Sequence, residues 1–422
     1  ISCFSHVKKH MKIVFLQDDF PPLSFGGAGI STYELALGMQ KAGHEAFVIS
    51  TCRKESDAGK TEYHGIQVYR IASDYHPRWR AYVSVYNIPV VRQVKQILKE
   101  LKPDVVHINN VHFYLSYHCL KLAKRYAKVV VFTARDVMAF NFGKLMTRQY
   151  LQKWDYRVSW IDRFTQSKKR WNPLLFFFVK RYLGYIDAIF AISKSLQEAL
   201  IQNGITPVEV IYNGIDVNEW NVGTDTISSF KTRFGLHDKK ILLFSGRLNE
   251  SKGGSKVITA LVRIVKEVPN TILLVAGSVD VYANRMKAEA KSLGIENTLI
   301  FTGWIEREDI KTAYAVSDVA LMPSVCFDAF GRVNIEAMAS RKPVVGTCYG
   351  GTPEVVQDSV TGYIVNPFHP EEIAEKTIDF LKNPEKAKKF GEAGYARAVQ
   401  KFNLEDKVKE YILVYKSFLT NT

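Results

Sequence analysis

Short apolar, β-branched runs alternate with stretches of helical period along this chain, and the alternation restarts once near its middle. Few folds accept that pattern. Strands that are apolar on both faces, each followed by a helix, pack as a parallel sheet covered by helices on both sides. In the first half, residues 11–16, 46–50, 105–108, 129–133 and 188–192 read as strands, with a shorter one at 208–212. Residues 32–42, 91–101 and 195–202 read as helices, and the polar stretch 216–237 as an irregular linker. The second half repeats the theme with strands at 241–245, 271–276, 299–302, 319–322 and 344–347. Its helices are expected at 256–268, 283–293, 308–315, 332–339, 371–382 and 404–419. A chain of 422 residues also exceeds one ordinary core. The expectation is an α/β protein of two Rossmann-like, doubly wound parallel-sheet domains, 11–216 and 217–402, with a last helical segment at 403–422. Such sheets bind ligands beyond the carboxyl ends of their strands, so a cleft lined by both sets of ends is the expected site.

The densest chemistry lies between Pro323 and Glu354, where Asp328 and Glu336 stand eight residues apart around a Phe330-Gly331 turn. Were the run fully helical, eight residues would rise ~12 Å, which matches the span from a nucleotide ribose to its attached sugar. Backbone amides of Phe330, Gly331, Arg332 and Val333 would lie between, where a diphosphate fits. Glu336 is then the candidate for the ribose diol and Asp328 for sugar hydroxyls, since carboxylates accept from hydroxyl donors. Both carboxylates could instead simply favour a helix start. Upstream, the loop after the 241–245 strand carries Gly246, Arg247 and Lys252, a forked donor and a mobile cation suited to a diphosphate. On their own these would be solvated loop charges.

In the first half, Gly26 and Gly27 lie between the first strand and its helix, where small residues let backbone approach a phosphate. A dinucleotide fingerprint is not met, because Thr32 stands where a third glycine is needed and Ser50 where an acid should end the second strand. Asn110, His112, Arg135 and Asp136 sit at strand ends on the same edge and are the acceptor-side candidates. His112 serves equally as a base or as a buried structural histidine, and Arg135 and Asp136 as a simple ion pair. No His/Cys/carboxylate cluster has metal-ligand spacing, so no metal and no other cofactor is expected. Leaving-group charge then falls to Arg, Lys and helix amides.

The net charge of +15 calls for an anionic partner. Residues 144–182 hold ten Lys or Arg against Asp155 and Asp162 alone, a net +8, with ten aromatics interleaved. Basic residues mixed with interfacial aromatics suit an anionic bilayer surface, or else an acceptor-binding insert. Nucleic acid is the other polyanion, but it leaves Arg247, Lys252 and Glu336 without a role, and none is expected as partner. Five scattered cysteines fit a reducing compartment, and no run approaches the ~20 residues of a membrane helix. Residues 1–10 do not read as a signal peptide, and Met11, directly before a strand, reads as a natural start. We therefore expect a cytoplasmic protein, peripheral at most.

Together these residues resemble the large retaining glycosyltransferase family 4, of GT-B fold. The matching pieces are the Gly26-Gly27 loop, Pro103-Asp104-Val105-Val106-His107, Ala191-Ile192-Ser193-Lys194-Ser195 and Tyr212-Asn213-Gly214-Ile215-Asp216. They continue through Gly246-Arg247 with Lys252-Gly253, Phe301-Thr302-Gly303-Trp304, Asp318 to Ser324 and the 323–354 block. The resemblance implies metal-independent transfer of a sugar, with retention, from a nucleotide diphosphate-sugar to a glycan or lipid-linked acceptor. A phosphorylase or hydrolase of related architecture is the alternative. Carried over, Arg247 and Lys252 hold the diphosphate, Glu336 the ribose and Asp328 the donor sugar, while Gly303, Trp304 and Ile305 border the base. The nucleotide is implied on the second domain and the acceptor on the first, and the last helix, 403–422, is implied to return to the first. Four positions depart from the family pattern: Asp328 for glutamate, Arg135 for histidine, Ser278-Val279 after Gly277, and Arg341 for glycine. At Arg341 a left-handed backbone would cost about 1 kcal/mol, so a compensating contact or an altered turn is expected there.

Overall fold

The computed structural model describes residues 10–24, 26–167 and 171–420. Lys168, Lys169 and Arg170, three of the cations that make residues 144–182 basic, lie outside them, as do residues 1–9. The chain divides into two compact units, Ile1–Gly214 with Leu404–Thr422, and Ile215–Asn403.

The first unit is built on eight strands: β1 (Lys12–Leu16), β2 (Glu45–Cys52), β3 (Gly59–Tyr63), β4 (Ile66–Ala72), β5 (Val105–Ile108), β6 (Val129–Ala134), β7 (Ala188–Ala191) and β8 (Glu209–Val210). They lie in the order β3-β4-β2-β1-β5-β6-β7-β8. All neighbours are parallel except the β3–β4 hairpin at the edge. That hairpin is absent from the sequence reading because Gly59–Tyr63 is mostly polar and half exposed. Covering helices form where apolar residues recur at helical spacing. Ile88–Leu101 buries Val90, Val91, Val94, Leu98 and Leu101, and ends on a left-handed Lys102 before Pro103. Lys194–Gln202 starts at Ser193, whose hydroxyl accepts from the Leu196 amide at 3.1 Å.

Helix Leu404–Thr420 belongs to this unit. It packs on Gly27–Lys41 so closely that a β-carbon at Gly38 would strike Val408. Its two buried tyrosines reach the sheet. Tyr415 Oη lies 2.6 Å from His107 Nδ1, His107 Nε2 lies 2.8 Å from Thr133 Oγ1, and that hydroxyl lies 3.0 Å from Tyr411 Oη. Burial holds the His107 imidazole well below its ordinary value, so it stays neutral with both ring nitrogens bonded.

The second unit holds six parallel strands: β9 (Lys240–Ser245), β10 (Thr271–Ala276), β11 (Leu299–Gly303), β12 (Val319–Met322), β13 (Val344–Thr347) and β14 (Gly362–Val365). Their order is β11-β10-β9-β12-β13-β14, the doubly wound arrangement with its reversal between β9 and β12. Leu242, Phe244, Leu273, Val275, Val319, Leu321 and Val345 face a core shared with helices Gly254–Glu267 and Pro370–Lys382. The expected linker is not irregular. Val217–Trp220 forms a 3-10 turn and Thr224–Phe234 a helix, which escapes notice because it buries only Phe230. The long helix Pro384–Lys401 is likewise missed, since small Gly391, Gly394 and Ala398 form much of its buried face.

Arg341 has φ of +58°. The expected compensating contacts are present, because its guanidinium stacks 3.6 Å from the centroid of Tyr395 and pairs with Glu392. Arg341→Ala, which keeps the strain and loses both contacts, should be less stable than Arg341→Gly by roughly 1 kcal/mol in urea unfolding. Tyr415→Phe strips a buried imidazole nitrogen of its partner and should cost about 1–3 kcal/mol in the same assay.

Candidate functional site

In the second unit the strand order reverses between β9 and β12, and the loops that follow these two strands carry most of the predicted residues. After β9 the chain passes Gly246 and Arg247 into a short 3-10 turn, Glu250–Lys252, capped by Asn249. It then turns at Gly253 with φ of +79°, where any β-carbon would collide with the Pro323 carbonyl. That contact and the bond from Val325 N to Ser251 O, at 3.0 Å, press the β9 loop onto the β12 loop. Lys252 Nζ then lies 2.6 Å from Asp328 Oδ2, with both side chains three-quarters or more buried. Burial would lower the Lys252 ammonium, but Asp328 outweighs it and the group is raised, hence charged.

Asp328 is the hub of this loop cluster. Its Oδ2 also accepts from Ser324 Oγ at 3.4 Å and its Oδ1 from the Gly331 amide at 3.0 Å. Its carbonyl accepts from Gly351 N at 2.8 Å, and Gly350 lies so close to its backbone that no side chain fits there. Gly331 is left-handed (φ +67°) and starts helix Arg332–Ala339. The expected turn at Phe330-Gly331 and helix at 332–339 are therefore both present, so the run from Asp328 to Glu336 is only partly helical. The Gly331 amide, counted above among phosphate donors, is bonded to Asp328.

Glu336 sits one turn into that helix and is not a helix-start carboxylate. Its Oε1 accepts from Arg332 Nε at 2.9 Å and its Oε2 from Tyr314 Oη at 3.3 Å. Arg332 is 9% exposed and Glu336 13%. Tyr314 is held in turn by Ser245 Oγ at 2.8 Å and Val333 O at 3.2 Å, with Trp220 edge-on to its ring. Burial, then the Glu336 charge, keep the Tyr314 phenol well above its usual value and so a donor. The Arg332–Glu336 pair was legible as an i, i+4 spacing, whereas Tyr314 arrives from a distant helix with no local signal. Arg247 is exposed, Phe330 is buried, Val333 half-buried, and at the end of β11 Gly303 and exposed Trp304 precede buried Ile305.

The first unit gathers the other candidates at the ends of β1, β5 and β6. Gly26 caps and Gly27 opens helix Gly27–Lys41, but the tight approach is at Gly29, whose β-carbon would lie 2.6 Å from the Asp19 carbonyl. Asn110 Nδ2 donates to Asp136 Oδ2 at 3.2 Å, and His112 Nε2 lies 3.5 Å from the same oxygen. Burial pushes the His112 imidazole down to about 4, against the pull of Asp136, so it is neutral. Arg135 donates to Asn109 and Asn213, both at 2.7 Å, while Asp136 caps the Met138 amide. Asp18, overlooked in the sequence, organises this edge by accepting from the amides of Phe113, Tyr114 and Leu115 at 2.7–2.8 Å. Burial raises its carboxyl to about 7 despite those donors.

Comparison with known proteins bears on the family and the fold. The family model for glycosyltransferase family 4 matches residues 25–219, and that for glycosyl transferases group 1 matches residues 228–397. An uncharacterized glycosyltransferase of Methanocaldococcus jannaschii is 27% identical over 421 residues, spanning 96% of this chain and 98% of its own. Among solved structures, sucrose-phosphate synthase from Thermosynechococcus elongatus superposes with a TM-score of 0.78 at 20% identity, over 97% of this chain and 99% of that one. HepE of Anabaena, in complex with UDP-glucose, gives 0.73 at 22% identity, over 97% and 100%. With one family model on each half and a relative aligned along nearly the whole length, the chain belongs to the group 1, family 4 glycosyltransferases, transferase enzymes of the GT-B fold.

Proposed function

We propose that this glycosyltransferase moves a sugar, with retention and without a metal, from a nucleotide diphosphate-sugar to a glycan or lipid-linked acceptor. The observation that carries the reading is the convergence of Lys252, Asp328 and Gly331 on loops at the strand-order reversal, with Glu336 in the helix that Gly331 starts, where an open parallel sheet binds ligands. Neighbours of the same fold bind UDP and UDP-glucose.

In this reading Arg247 and Lys252 meet the charge that grows on the departing diphosphate. Glu336 takes the ribose diol; Arg332 offsets its charge beside the phosphates, and Tyr314 fixes its rotamer. Asp328 holds Lys252 in place and is the carboxylate that meets a sugar hydroxyl. Gly303, Trp304 and Ile305 border the base. In the first unit, Gly26 and Gly27 let the backbone come near a phosphate, and Asn110, His112, Arg135 and Asp136 serve the acceptor. A neutral His112 beside Asp136 can take or pass a hydroxyl proton.

Lys252→Ala and Glu336→Gln should each abolish transfer with circular dichroism unchanged, while full activity persists in EDTA. Activity retained in both variants, or sugar released to water without acceptor, would count against the assignment. Asp328→Asn separates its two roles by calorimetry. Loss of affinity for the intact donor but not for the free nucleotide diphosphate marks a sugar contact, whereas equal loss for both marks support of Lys252 alone. A thermal-shift screen of UDP-, GDP- and ADP-sugars identifies the donor class.

A further inference from the structure

Helix Trp160–Ser167 is turned inside out. Surface helices of folded domains bury their apolar side, yet here Trp160, Ile161 and Phe164 are 69%, 57% and 51% exposed. The polar side faces inward. Gln166 accepts from Asn141 at 2.9 Å, Ser167 is buried, and the Arg163 guanidinium lies 4.7 Å from the Phe176 ring centroid. The outward face continues into its surroundings. Phe164 meets Trp171 at 5.5 Å between ring centroids, the Trp171 carbonyl accepts from Tyr82 Oη at 3.0 Å, and Tyr82 meets the exposed Trp79 at 6.1 Å.

The charge of the segment that carries this strip is one-sided. The acids of 144–182 are both spent locally: Asp155 on Arg157, at 2.7 Å, and Asp162 on the Ser159 amide and hydroxyl. Lys144, Arg148, Lys180 and Arg181 are exposed and form no ion pair among the described residues, while exposed Lys153 lies in the field of Asp155. No helix among the described residues is long and apolar enough to cross a membrane.

We infer that the outward face of helix Trp160–Ser167, with Trp171, Tyr82 and Trp79, is a docking surface for an anionic phospholipid bilayer. The aromatic strip lies at headgroup depth and the basic side chains meet lipid phosphates and carboxylates. The charge favours this occupant, because a second copy of the chain would bring the same cations against themselves. The surface is independent of the donor site, so it stands or falls apart from the function proposed above.

Flotation of the full chain with phosphatidylcholine vesicles, with and without phosphatidylserine, tests it. The chain should float with the anionic vesicles only, and less so as salt rises. The triple variant Trp160→Ser, Ile161→Ser, Phe164→Ser should bind at least about tenfold more weakly, with melting temperature and nucleotide binding unchanged. Three results would overturn the inference: no binding to anionic vesicles, identical binding by the triple variant, or light scattering that shows a dimer which the triple variant disperses. Salt-sensitive binding to an oligonucleotide through the same residues, tighter than to vesicles, would overturn it too.

Discussion

An ammonium and a carboxylate 2.6 Å apart, each largely withdrawn from water, hold together the loops on which the second unit's chemistry is placed. Taking either ion out of water alone would cost several kcal/mol, so the two loops settle only in the arrangement that brings Lys252 to Asp328. The glycines beside the pair are consequences of that closeness. Gly253 has no room for a side chain against Pro323, and Gly350 has none against Asp328. The same carboxylate fixes the start of helix Arg332–Ala339 through the Gly331 amide, and that helix sets the position of Glu336.

The electrostatic logic of the site follows. Carboxylates near a diphosphate would repel it, and here both are matched by cations on the protein: Asp328 by Lys252 and Glu336 by Arg332. Exposed Arg247 is left to face solvent or ligand. In the first unit the strand ends are organised by buried polar groups instead of an ion pair. Asp18 gathers three amides, and neutral His107 bonds to Tyr415 and Thr133, so that helix Leu404–Thr420 is specified by hydrogen bonds as well as by apolar burial. Such networks leave no local trace, since their partners lie tens to hundreds of residues apart.

Most strands of both sheets were legible because strands buried on both faces must be apolar throughout, and so were helices with a broad apolar face such as Ile88–Leu101. Among the elements that escaped, the polar strand β3, helix Thr224–Phe234 and helix Pro384–Lys401 bury few large apolar residues, whereas β4 and β14 are short strands interrupted by polar or small residues. Residues 144–182 showed their basic and aromatic composition, but composition does not say which face of a helix points outward. The exposure of Trp160, Ile161 and Phe164 emerged only from the packing of Arg163, Gln166 and Ser167.

The sequence by itself determined the two-sheet α/β fold, the family, and the carboxylates and cations of the candidate donor site, because each rests on residue type and local spacing. Even the strain at Arg341 could be anticipated, because the family it resembles has glycine at that place after the helix. The tertiary structure alone decided how those charges are paired. It spent the Gly331 amide on Asp328, bound Lys252 to that same carboxylate, brought Tyr314 to Glu336, and put Asp18 and His107 at the centres of buried networks. Hydrogen bonds and ion pairs are fixed by distances of a few tenths of an ångström, and only the folded packing of remote segments sets those.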